Sequence, residues 1–102
     1  MSIEIYNTNG DSIISIPVSS ERFFVKYWDK AIQELNIKTL GNDIDLYRND
    51  LSQILEDFQK VENWAKDNIF GQDLDYILTR LEYIQKELPT LWSEKYPTLY
   101  MG

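Results

Sequence analysis

The sequence contains no cysteine and no histidine. The first absence excludes disulfides, thiolate metal sites and a cysteine nucleophile. The second removes the commonest general base, the usual physiological pH switch and the most frequent zinc ligand. Glycine is scarce, with four residues, so no glycine-rich loop is available to cradle a phosphate. No G-x-S-x-G or S-x-x-K pattern occurs either. No stretch approaches the ~18 apolar residues that a membrane span needs. The opening "MSIEIYNTNG" has neither a basic segment nor an apolar run, so no signal peptide is expected and a cytoplasmic location is.

Basic residues are also in short supply. Ten lysines and arginines face 17 acids, for a net charge of −7. The bases are scattered among acids, with no stripe that would follow a phosphate backbone. Nucleic acid and anionic membranes are therefore excluded as expected partners, and a charged macromolecular partner should be basic. Hydrophobic content of 43% and aromatic content of 14% argue for a folded chain. Its 102 residues are enough for a single domain with its own core.

Hydrophobic spacing divides the chain into short elements. Ile3 and Ile5 alternate with polar neighbours, as do Ile14, Ile16 and Val18. Asn9-Gly10 between them predicts the turn of an N-terminal β-hairpin. Pro17 marks an edge or the end of the second strand. Ser19 and Ser20 offer N-caps for a first helix from about Ser20 to Asn36, on Phe24, Tyr27, Trp28, Ala31 and Leu35. Phe23, Val25 and Ile32 widen that stripe, so this helix is expected at the centre of the core. Ile37 to Leu40 reads as a short extended piece before the Gly41-Asn42 turn. A second helix follows from Leu46 or Asp50 to Asp67, with Asp45 or Asn49 as cap. A third, capped by Asp73, carries Leu74, Ile77, Leu78, Leu81, Ile84 and Leu88 and is stopped by Pro89. The short link between helices 2 and 3 predicts an antiparallel pair. In the tail, Leu99 and Met101 alternate as in a strand, expected to return to the hairpin. The fold class is therefore α+β: an N-terminal β-hairpin, three helices, and a short C-terminal strand on the same small sheet.

Few residues offer chemistry. "DIDLYRND", Asp43 to Asp50, begins like a calcium loop, but Tyr47 and Arg48 occupy the places that need an oxygen ligand and a glycine. Turn and capping roles suit these residues better, and neither a metal nor a cofactor is expected. On helix 3, Tyr76 and Tyr83 lie about 180–200° from Leu74, one above the other. Arg80 and Glu87 flank them on one side, Thr79 and Lys86 on the other. On helix 2, Trp64 sits off the stripe, about one turn from Lys60 and two from Asp57. Either the aromatic tail, Leu91 to Tyr100, covers the tyrosines, or they are singly exposed, or they form a partner surface.

The resulting expectation is a small acidic protein without catalysis, binding or inhibiting a basic protein partner. Tyr76, Tyr83, Arg80, Glu87, Trp64 and Asp57 form its candidate surface. Immunity-type proteins that neutralise toxins or nucleases are an analogy of size and charge. The alternatives are a self-assembling homo-oligomer and a small carboxylate-dependent enzyme.

Overall fold

The computed structural model describes residues 2–7, 15–92 and 98–102. It is an α+β fold whose antiparallel sheet carries three helices. The strands are β1 (Ser2–Tyr6), β2 (Ser15–Ser20), β3 (Ile44–Tyr47) and β4 (Thr98–Met101), in spatial order β2-β1-β4-β3. Helix α1 runs over 21–34, α2 is Leu51–Asn68 and α3 is Gly71–Leu91. The expected hairpin pairing is present, and the C-terminal strand does join the sheet, beside β1. The expected Asn9-Gly10 turn and Ile14 lie outside the described residues.

Strand alternation gives the sheet two unlike faces. Ile16, Ile5, Met101 and Ile44 form one row across all four strands, flanked by Ile3, Val18, Leu99 and Leu46. Apart from half-buried Ile44, all of these are buried beneath the helices. The opposite row reads Ser15, Tyr6, Tyr100, Asp45, with the two tyrosine rings edge-on at 5.5 Å. Register shifts by one between Ile3 and Glu4, which leaves Val18 without an opposite residue. That bulge explains why the successive residues Val18 and Ser19 are both buried. Glu4 exchanges both of its backbone hydrogen bonds with Gly102, on its β4 side. Pro17, opposite Glu4, therefore lacks its N–H where none is needed for pairing with β1.

Helix α1 opens as its sequence dictates. The Ser20 side-chain oxygen accepts from the Phe23 N–H at 3.2 Å, and Glu21 comes next, in the first turn. Its interior differs from the regular helix expected. Residues Phe24–Trp28 form a π turn, closed by the Asp29 N–H donating to the Phe24 carbonyl. The extra residue rotates the C-terminal part of the helix by about 100° relative to a regular one. Phe24 and Trp28 stack in the core at 5.8 Å and 3°, while Val25 is 62% exposed, not part of the stripe. The helix ends two residues before Asn36, which adopts φ 55. Ile37 donates to the Ile32 carbonyl and Asn36 to that of Gln33, a Schellman closure with asparagine in the left-handed place.

Other expectations are corrected. Ile37 to Leu40 is not extended; its two apolar ends plug the core, and the strand lies at Ile44–Tyr47. Consequently α2 does not begin at Leu46, and neither Asp45 nor Asn49 is its cap; a 3-10 turn, Arg48–Asp50, leads into Leu51. Helix α3 starts at Gly71, whose φ of +66 suits glycine, so Asp73 lies in the first turn rather than at the cap. Pro89 does not stop α3, which continues to Leu91. Proline removes one backbone donor, a loss that the last turn of a helix tolerates better than its middle.

The two-residue link Ile69-Phe70 folds α3 back along α2, and α3 also packs on β2. Phe58 of α2 meets Trp28 edge-on at 6.2 Å and 82°. No helix among the described residues is long and apolar enough to cross a membrane. Truncating Phe24 or Trp28 to alanine should cost about 3–5 kcal/mol in urea unfolding, as for large core aromatics. Val25→Ser should stay within about 0.5 kcal/mol.

Candidate functional site

Helix α3 buries Ile77, Leu81, Ile84 and Leu88 against the core. The rest of its circumference must face outward, and two concavities form there. The larger is a groove of about 660 Å³ between α3 and β2. Pro17 supplies the strand side; Gln72, Asp75, Tyr76, Thr79, Arg80 and Tyr83 supply the helix side. The helix residues form two rows with steps of four, Gln72-Tyr76-Arg80 and Asp75-Thr79-Tyr83, which run along one side of the helix. Tyr76 is half-buried against Phe23 of α1 at 4.7 Å, while Tyr83 is 48% exposed. The Arg80 guanidinium lies over the Tyr76 ring at 5.3 Å, a cation–π contact that holds the ring as part of the wall.

The second concavity, of about 390 Å³, lies on the α2 side of α3. Glu62, Asp75 and Glu82 line it together with Lys66, Leu78 and Thr79. Lys66 sits 4.0 Å from Glu62. Three carboxylates and one ammonium leave this trough net negative. Asp75 and Thr79 belong to both concavities, so an aromatic groove and an acidic trough adjoin on one helix.

The upper end of the groove is anchored from α1. The Tyr27 hydroxyl donates to Asp73 Oδ2 at 2.5 Å, and Lys26 Nζ is 3.8 Å from the same oxygen. Asp73 thus pins the start of α3 to α1. Beside it, Phe70 is 80% exposed at the turn between α2 and α3.

The structure divides the six residues singled out from the sequence. Tyr76, Arg80 and Tyr83 come together in the groove. Glu87 is half-buried lower on α3 and does not line it. Asp57 and Trp64 are not surface groups, and the expectation that they are is corrected. Asp57 is 4% exposed; it accepts from Thr39 Oγ1 at 2.6 Å and Gln53 Nε2 at 3.0 Å, with Lys60 Nζ at 3.6 Å. It ties the connector after α1 to α2. Trp64 is 8% exposed, and its indole N–H donates to Glu34 at the end of α1 at 2.5 Å. Each has one partner distant in sequence, Thr39 or Glu34, which helical spacing on α2 does not reveal.

Nor does the tail cover the tyrosines, as far as it is described. Trp92 is buried, and its indole N–H donates to the Leu46 carbonyl of β3 at 3.3 Å. Residues 93–97 lie outside the described residues. Sequence reasoning missed Pro17 as a groove wall, the trough acids Glu62 and Glu82, and Phe70. A phenylalanine next to Gly71 was the one available signal, because a turn at that point lifts its side chain off the helices.

Compared with protein-family models, with curated proteins and with solved structures, the chain matches none. Among the described residues, no group of three or more acidic side chains is gathered closely enough to hold a metal ion.

On the other side of the sheet, the Tyr100 hydroxyl donates to Asp43, and this bond pushes its pKa up to about 12 from 10.0, helped by burial and nearby acids. The folded phenol is the weaker acid. Its stabilising contribution is therefore whole below pH 10.0 and is lost as pH rises through about 12. Asp43→Asn should bring the Tyr100 titration back toward pH 10.0, followed by NMR of ring-labelled tyrosine. Asparagine tolerates the φ of 75 found at Asp43, so the backbone should stay in place. Separately, Asp57→Ala should cost about 1–3 kcal/mol in urea unfolding, because it removes the buried acceptor that half-buried Thr39 bonds to.

Proposed function

We propose that this protein has no catalytic role of its own and acts by recognising a basic protein partner through the outward face of α3. One observation carries the reading: an aromatic groove and a net-negative trough adjoin on that helix and share Asp75 and Thr79. Tyrosine combines apolar area with a hydroxyl and is enriched where binding energy concentrates. The net charge of −7 supplies long-range steering of a positive partner. The mode fits a small inhibitor of the immunity type, whose target would be a basic enzyme such as a nuclease. The carboxylate-enzyme alternative has less behind it, since the trough acids lie in an open depression beside a lysine.

Capture from native lysate tests the reading. A basic protein should be retained at low salt, released at about 0.5 M salt as exposed charges are screened, and lost with Tyr76→Ala/Tyr83→Ala. Retention unchanged by the double substitution would count against α3. Tyr83→Ala alone should also weaken capture while altering stability by under about 0.5 kcal/mol, so that lost capture in this variant is not lost folding.

Self-association is the second reading, favoured by Phe70, whose ring is 80% exposed. Sedimentation over a hundredfold concentration range decides it. A mass that rises with concentration and falls back with Phe70→Ser would make a second copy the partner.

A further inference from the structure

The two concavities on α3 differ in chemistry as well as position. The groove offers Pro17 and two tyrosine rings, and its two charged side chains, the Asp75 carboxylate and the Arg80 guanidinium, offset one another. A ligand cation entering the groove would meet that guanidinium. The trough offers Glu62, Asp75 and Glu82 against Lys66, which Glu62 already neighbours. A ligand cation entering the trough meets a surplus of carboxylate, and Asp75 and Glu82 are exposed and free to turn toward it. Charge therefore sorts the two ends of a ligand.

We infer that the site takes one extended segment of the partner, carrying an apolar or aromatic side chain for the Pro17–Tyr76–Tyr83 groove and a lysine or arginine for the Glu62–Asp75–Glu82 trough. This rests on the reading of α3 as the recognition face and adds the ligand's chemistry and polarity. The segment crosses the helix at Thr79, which borders both concavities. A helix with its side chains is about 10–12 Å across, and an extended chain rises about 3.3 Å per residue. The anchor and the cation should therefore stand about three or four residues apart.

Capped synthetic peptides with one tryptophan and one arginine, separated by zero to five alanines, serve as probes. Titration of the isotope-labelled full chain, followed by amide shifts, reads their affinity. Binding should peak at the three- or four-residue spacing. There it should exceed by at least about tenfold that of the same peptide with glutamate for arginine or alanine for tryptophan. Asp75→Lys/Glu82→Lys should reverse the preference toward the glutamate peptide. Asp45→Lys/Glu56→Lys, which changes net charge equally at exposed acids lining neither concavity, should leave the preference for arginine in place. Equal effects of the two charge-changed pairs, or no dependence on spacing, would overturn the inference. Lysate capture separates this failure from that of the broader reading. If capture still depends on Tyr76 and Tyr83 while the peptides show no preference, the face stands and the two-part ligand falls. If neither holds, both fall.

Discussion

The stack of Phe24 on Trp28 is the contact on which the remaining architecture depends. Both rings are fully buried, and Trp28 passes the contact on to Phe58 of α2. Their i, i+4 spacing puts both rings on one face of the helix, and Val25 lies outside it. With α1 fixed, Glu34 stands where Trp64 can donate to it, and Tyr27 stands where it can hold Asp73. Two of the three helices are thus referenced to the position of α1, and the angle at which α3 departs determines what its far side presents.

That far side carries the groove and the trough. Burial of Ile77, Leu81, Ile84 and Leu88 satisfies what α3 owes the core. Tyr76 is held partway, by Phe23 on one side and Arg80 on the other, so its ring is positioned before anything binds. A preset ring loses little freedom on binding, which favours affinity. Of the neighbouring acids, Asp75 and Glu82 are exposed, whereas Glu62 is half-buried beside Lys66.

Much of this was legible in the sequence, and the gaps have physical causes. Helical repeats of Leu, Ile and Phe announced all three helices, because each buries a continuous stripe. The Ser20 cap was legible because its chemistry is local. Strand β3 was not, since of its four residues only Leu46 is fully buried while Asp45 and Tyr47 face solvent. The π turn leaves no mark in a hydrophobic pattern read at one fixed period. The tyrosines of the groove followed from the helical wheel of α3, but its strand wall did not, because Pro17 reaches it through the tertiary fold. Asp57 and Trp64 were misplaced for the same reason: each has a hydrogen-bond partner outside its own helix, Thr39 and Glu34, 18 and 30 residues away.

The two outermost strands carry a further consequence. Along β2, proline withholds a donor that a neighbouring chain would need, and along β3 the Trp92 indole already occupies the Leu46 carbonyl. A sheet with unprotected margins invites another strand to add itself, in a growing stack or a swapped pair. At one point on each margin, then, a backbone group that strand addition would use is missing or already taken.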